Sequence, residues 1–246
     1  MYLEPMVIEP MFYRFEPLAK THPQLVAQLE KLIARGGLAI PPDRMFEMKA
    51  SEKLNSLNAY VSGFGGSKRV VVWDTTLQHL TTPETLFVFG HEMGHYVLGH
   101  IRNSLLWLSV LLLVLLFVGS HIARDILRRW GNKWRIRDMA DWASFPLLLL
   151  IVAVFSFFSE PVVNGYSRWQ EHQADIYGLE VTHGIEPDSA AAAAHSFQVM
   201  GEIGLDEPDP NPFIEFWLFS HPATSDRLAF AQSYNPWATG APRYVK

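Results

Sequence analysis

The sequence contains no cysteine among its 246 residues. That absence excludes disulfides, thiolate metal ligands and a cysteine nucleophile, and leaves the compartment open. Charge is also sparse. Only 18% of residues are charged, 20 Lys and Arg stand against 25 Asp and Glu, and the formal net charge is −5. A general nucleic-acid-binding surface needs a basic excess that this chain does not have. The start, Met1-Tyr2-Leu3-Glu4-Pro5, lacks the basic opening and apolar core of a secretory signal. No internal repeat occurs, and no low-complexity segment beyond the alanine run 190–194.

The missing charge is concentrated in two stretches. Between Arg102 and Arg124, and again between Asp141 and Glu160, there is no Asp, Glu, Lys or Arg. A bilayer crossing needs about 20 apolar residues, so both runs are expected to span a membrane, with Trp107 and Trp142 suited to the interfaces and Pro146 near one end. A buried hairpin of a soluble protein is the competing reading. The linker between them carries Arg124, Arg128, Arg129, Lys133, Arg135 and Arg137 against Asp125, Asp138 and Asp141.

Just before the first run stands His91-Glu92-Met93-Gly94-His95, an H-E-x-x-H pattern in an apolar segment. On a helix, positions i and i+4 share a face, so His91 and His95 can point two imidazoles at one zinc ion. Glu92 is placed to reach a metal-bound water and take its proton. Two buried, hydrogen-bonded histidines would give the same pattern. Thr81-Thr82-Pro83-Glu84 supplies a helix start, and Gly90 and Gly94 imply something packed closely on that helix.

The third ligand does not come from the same helix. An H-E-x-x-H-x-x-G-x-x-H continuation would put histidine at 101, but Ile101 stands there, with Leu98 in place of the glycine; Gly99 and His100 are each one residue off. A glutamate on a separate helix is the alternative, and the segment 166–175 offers Glu171 with Asp175 at i+4 on the same face. Glu171 can ligate while Asp175 receives a hydrogen bond from the outer nitrogen of a ligating histidine. A solvated acidic helix face has the same spacing.

HEMGH followed by Ser167-Arg168-x-x-Glu171-x-x-Ala174-Asp175 resembles the integral-membrane zinc metallopeptidases of the CAAX prenyl protease type I and HtpX group. Leu57-Asn58-Ala59-Tyr60 is similar to that family's N-A-[FY] segment, residues 68–77 to the strand before its zinc helix, and His221-Pro222 with Arg227 to its H-P-x-x-x-x-R. The likeness runs from about residue 15 to about 231 and leans towards the prenyl-protease branch. It implies one zinc ion per chain held by His91, His95 and Glu171, with Glu92 as general base and acid and His221 as oxyanion donor. Asp175, Arg227 and Arg168 would form the outer shell, Arg227 holding the His221 segment in place. It also implies a metallopeptidase domain at the cytoplasmic face of the cell membrane. The basic linker by itself would place that domain on the opposite side. The family carries further spans upstream, so this chain is expected to match a C-terminal half.

The expected fold is α+β and mainly helical: a gluzincin-type domain with a small sheet and two transmembrane helices inserted between the ligand-bearing helices. Residues 1–102 form its first part, 103–123 the first span, 124–142 a basic connecting loop, 143–160 the second span and 161–246 the remainder. Within it, 15–18 reads as a docking segment, 23–35 as a helix ended by Gly36-Gly37, and 45–50 as a strand. Residues 58–64 and 68–73 read as a hairpin around Gly63, Gly65 and Gly66. Helices are expected over 187–201 and, after His221-Pro222, as far as 231; the aromatic segment 213–219 either lines a greasy substrate site or packs, with packing favoured. Asn58, Ala59 and Tyr60 lie on a strand that is either scaffold or an edge against which a peptide lies. The expected activity is hydrolysis of peptide bonds near the bilayer. The alternatives are HtpX-like quality control of membrane proteins or an inactive membrane scaffold. Partners are a peptide or protein substrate and the lipid bilayer.

Overall fold

The computed structural model describes residues 8–63, 67–238 and 240–245. A short helix α1 (Glu9–Phe12) leads into strand β1 (Phe15–Pro17) and a one-turn helix α2 (Leu18–Thr21). The segment expected only to dock is thus an edge strand, where Pro17, having no N–H, is tolerated. Helix α3 (Pro23–Arg35) buries Leu25, Val26, Leu29, Leu32 and Ile33, the stripe its helical period predicts. Strands β2 (Met45–Met48), β3 (Ala59–Ser62) and β4 (Arg69–Trp73) complete a sheet of order β1-β2-β4-β3.

The central pair β2 and β4 is parallel, with Met45 opposite Val70; the outer pairs are antiparallel, with Phe15 opposite Met48 and Ala59 opposite Val72. Val70, Val71 and Val72 are all buried, because β4 is covered on both faces. One face meets the main core, including Leu29, Leu86, Phe87 and Met93; the other meets a smaller cluster around Met48, Ala50 and Val71. The expected hairpin is present as β3 and β4. Phe64, Gly65 and Gly66, at its tip, lie outside the described residues.

Helix α4 (Asp74–His79) precedes α5 (Thr82–Val97), the H-E-x-x-H helix. Its start is a capping box: the Thr81 side chain accepts from the backbone three residues on, and Thr81 N donates to Glu84 Oε2 at 2.7 Å. The chain then enters α6 (His100–Trp134) and returns through α7 (Phe145–Thr182). At 1.5 Å per residue, helices of 35 and 38 residues reach about 52 and 57 Å, beyond a hydrocarbon core of ~30 Å. Only 6% of the most apolar 18-residue window of each is buried within the protein, which does not fit a hairpin buried in a soluble core.

Two boundaries differ from the sequence reading. The basic segment expected as a loop from 124 to 142 is helical as far as Trp134; Arg135, in the left-handed conformation (φ 59°), ends it. Nor does a break separate the second span from the Glu171 segment, because α7 runs through Pro161 and carries both. Helices α8 (Ser189–Gly204), α9 (Pro212–Leu218) and α10 (Thr224–Ser233) close the domain. Helix α8 starts two residues later than expected, where the Asp188 carboxylate caps Ala191 N at 2.9 Å.

The contact that positions the site is the crossing of α5 over α7. A Cβ on Gly90 would stand 2.9 Å from Val181 Cγ1, and one on Gly94 3.0 Å from Tyr177 Cβ. From the other side, a Cβ on Gly178 would stand 3.1 Å from the His91 backbone nitrogen. The glycines let the two helices approach closely enough for their side chains to share one site.

Candidate metal centre

His91 and His95 lie one turn apart on α5, and Glu171 faces them from α7. The three offer ligand atoms all within 4.8 Å of one another. His91 Nε2 and His95 Nε2 are 3.1 Å apart; Glu171 places one carboxylate oxygen 3.3 Å from the first and its other oxygen 3.4 Å from the second. A tetrahedral ion with ligand bonds of 2.0–2.1 Å requires ligand atoms about 3.3 Å apart. The donor set suits such a metal in its chemistry, with each Glu171 oxygen standing near this separation from a different imidazole nitrogen.

Behind the donors lies a charged outer layer. His91 Nδ1 is 2.8 Å from Asp175 Oδ1. Arg227, from α10, grips the same carboxylate with two bonds, Nη2 to Oδ1 at 2.6 Å and Nε to Oδ2 at 3.0 Å, and stands 3.7 Å from Glu171. Its guanidinium lies over the Phe197 ring at 4.2 Å. Burial disfavours charge on Asp175, but Arg227 and then His91 outweigh it and hold its pKa below the usual range. Burial likewise opposes protonation of His91, yet the hydrogen bonds to Asp175 and Glu171 raise it to about 10. Glu171 is held far below its ordinary value, burial being overcome by His91 and His95. The cluster therefore favours positive charge between its imidazoles and carboxylates.

Glu92 adjoins His91 on α5. Its carboxyl makes no hydrogen bond with any described residue, and burial pushes its pKa up. His221 stands on the loop after α9 with Nε2 3.5 Å from Glu171 Oε1 and a half-exposed side chain. Ser220 Oγ lies 3.0 Å from His221 Nδ1. That loop is held by α7. Arg168 donates to the carbonyls of Glu215, at 3.0 Å, and Phe219, while Asn164 donates to that of Trp217 at 2.7 Å. Arg227 ties α10 to α7 through Asp175, so it reaches the His221 segment only through the helix that follows it.

A cavity of about 500 Å³ opens here, bordered by Ser56, Leu57, Phe219, Ser220, His221 and Arg227. Asn58, Ala59 and Tyr60 follow directly. Asn58 is fixed through its backbone, N to Thr76 Oγ1 at 2.8 Å and O to Trp73 N at 3.0 Å. Ala59 is fully buried against the main core. Tyr60 turns to the opposite sheet face, where its hydroxyl donates to Glu9 at 2.7 Å. Among the described strands β3 is an edge of the sheet, so this segment could meet a ligand through backbone groups rather than through these side chains.

His100, Gln173 and Asn164 had no role in the sequence reading. His100, the residue one place off the expected continuation, is buried with Nδ1 3.0 Å from His95 Nδ1 and Nε2 3.1 Å from Gln173 Oε1. The signal for it was Gly99: a left-handed residue there (φ 69°) ends one helix and starts the next, which folds His100 back over His95.

The sequence and the fold both match known proteins. The model of peptidase family M48 matches residues 19–235. The Bacillus subtilis (strain 168) protein described as "uncharacterized metalloprotease YhfN" is 36% identical over 231 residues, covering 94% of this chain and 52% of that protein. CAAX prenyl protease 1 of Saccharomyces cerevisiae is 27% identical, covering 93% of this chain and 51% of its own length. The crystal structure of S. mikatae Ste24p matches with a TM-score of 0.72 at 21% identity, over 94% of this chain and 54% of that one, and shows the same fold. The chain spans about half the length of these relatives. A helix crossing that assembles His91, His95 and Glu171, and a family match over most of the sequence, lead to one assignment: this chain belongs to peptidase family M48.

Proposed function

We propose that the protein is a membrane-embedded zinc metalloendopeptidase that cleaves peptide bonds presented close to the bilayer. The observation that carries this reading is a close-set His-His-Glu cluster with a carboxylate free of hydrogen bonds to any described residue, Glu92, beside it. A binding protein or inactive scaffold would have no use for that carboxylate. Zinc, when bound, supplies a Lewis acid that polarises the scissile carbonyl and brings the pKa of water towards ~7.

The residues around it supply the rest. Glu92 takes a proton from the attacking water as that oxygen adds to the carbonyl carbon, and returns it to the amine nitrogen as the C–N bond breaks. The products are a carboxylic acid and an amine, which pass to carboxylate and ammonium by transfer of the remaining proton, with no other reactant needed. With Ser220 as donor across the 3.0 Å contact to His221 Nδ1, the proton of this imidazole would lie on Nε2, facing the site, where that N–H would stabilise the oxyanion as it develops. Asp175 and Arg227 fix the ring of His91, and Arg168 with Asn164 fix the loop bearing His221. An extended substrate lies along the β3 edge and enters the 500 Å³ cavity.

Twelve residues separate Ser159, at the end of the second uncharged run, from Glu171, which puts the metal roughly 18 Å along α7 from the apolar boundary. Substrates held at a membrane surface suit that position. By likeness to the CAAX prenyl proteases we extend the proposal to the C-terminal tails of lipidated proteins, with the zinc domain at the cytoplasmic face. The test is hydrolysis of quenched peptides, prenylated and plain, by purified protein. Chelator should abolish cleavage and stoichiometric zinc should restore it. Cleavage unaffected by complete metal removal would reject the proposal.

A further inference from the structure

We infer that His100 is a positioning residue for the metal: it receives the outer N–H of His95, and Gln173 in turn holds His100. The inference rests on the ligand assignment above. It gives the second histidine ligand an anchor as complete as the one Asp175 and Arg227 give the first.

The proton positions follow from geometry. His95 presents Nε2 to His91 and Glu171, so that nitrogen must be free of a proton to ligate a metal. The neutral ring then carries its proton on Nδ1. That nitrogen lies 3.0 Å from His100 Nδ1, and of two nitrogens so placed one donates and the other accepts. His95 donates, so His100 Nδ1 is the bare acceptor and the proton of His100 sits on Nε2. At 3.1 Å from that nitrogen is the side-chain oxygen of Gln173, an acceptor. Each link fixes the tautomer of the next, and the chain ends on an amide that carries no charge.

The two ligand anchors therefore differ in kind. His91 leans on a buried carboxylate paired with a guanidinium, and His95 on a neutral imidazole backed by an amide. A second carboxylate behind His95 would add negative charge to a site that already holds Glu92, Glu171 and Asp175. An imidazole orients the ligand without adding any. The placement also depends on the chain turn. His100 is the first residue of α6, its carbonyl accepts from Gln170 Nε2 at 3.2 Å, and the left-handed Gly99 aims its ring back at α5.

Metal affinity is measured by chelator competition on the full chain in detergent, with cobalt absorption spectra as a second readout. His100→Ala should weaken binding by about 10–100-fold and shift the cobalt bands, as loss of an outer-shell partner does. His100→Asn keeps an acceptor near the Nδ1 position and should recover most of the affinity. Gln170→Ala removes the bond to the His100 carbonyl together with those to Ser104 and Tyr166 but leaves the ring contacts of His100 in place, so it should weaken metal binding less than His100→Ala, separating orientation of the ring from support of the turn. Gln173→Ala should weaken binding alone but add nothing in the His100→Ala background, since the two act in series. It also serves as the test if His100→Ala fails to fold. Wild-type affinity in His100→Ala, or additive losses in the double variant, would overturn the inference. A wild-type protein that takes up no metal would instead overturn the ligand assignment.

Discussion

Asp175 shows how tightly this site is specified at the residue scale. It is buried to 1% exposure yet charged, because Arg227 and His91 both engage it. Removing one partner of such a pair leaves an uncompensated buried charge, at a cost of about 3–5 kcal/mol. Arg227→Ala should therefore lower the thermal midpoint markedly and loosen the metal. Arg227→Lys should recover only part of the loss, since an ammonium cannot grip both oxygens at once. Equal stability of wild type and Arg227→Ala would contradict this role. The raised pKa of His91 gives a second residue-scale prediction. Burial opposes its protonation, but Asp175 and Glu171 lift it from 6.5 to about 10. In the metal-free protein that proton stabilises the fold fully below pH ~6.5, and the contribution fades as pH rises through about 10. A metal must displace the same proton. Apparent metal affinity should thus increase with pH up to that range, by as much as about tenfold per unit for one proton released, with proton release seen in weakly buffered titrations. A pH-independent affinity between 6 and 9 would count against it.

At the scale of elements, everything depends on how closely α5 and α7 cross. Gly178 faces the backbone of α5, with the His91 nitrogen 3.1 Å from where a Cβ would be. A helix gains up to about 1 kcal/mol from Gly→Ala, but overpacking costs about 1–3 kcal/mol, and backbone cannot move aside as a side chain can. Gly178→Ala should spread the helices, separate His91 from Glu171 and weaken metal binding more than it lowers stability. Unchanged metal affinity in this variant would show that the crossing has slack. Much of this element was legible in the sequence. Thr81 and Glu84 marked the helix start, the i, i+4 spacing gave both ligand faces, and Gly90 and Gly94 announced a close neighbour. The apolar stripe of α3 and the valine run of β4 were equally readable, because burial imposes the periodicity that sequence displays. What stayed hidden depends on tertiary placement. Apolar character stops near Ser159 while helical backbone does not, so the unity of span and ligand helix in α7 left no trace in hydropathy. Arginines 124, 128 and 129 read as a loop because charge marks exposure, not backbone conformation. The pairing of His100 with His95 required knowing how Gly99 turns the chain.

At the scale of the whole molecule, one apolar helical hairpin links the helix that carries His91 and His95 to the one that carries Glu171: the chain leaves after α5 along α6 and returns along α7 directly into Glu171, as two membrane crossings would require. The metal site and the turn at 135–144, with the basic end of α6 before it, should then lie on opposite sides of the bilayer. The native chain has no cysteine, so single cysteines introduced at Ser51 and Lys133 report sidedness cleanly. An impermeant reagent on intact cells should label one and spare the other. Labelling of both, or release of the protein by high salt without detergent, would contradict two spans. We propose that this architecture serves above all to set Glu92 beside a metal held by His91, His95 and Glu171. The most direct test measures zinc content and peptide turnover together in the purified wild type and in Glu92→Gln, which keeps the shape but has no basic oxygen. About one zinc per chain is expected in both proteins, with turnover reduced by about 10²–10⁴-fold in the variant. Near-normal turnover by Glu92→Gln with its zinc retained would contradict it.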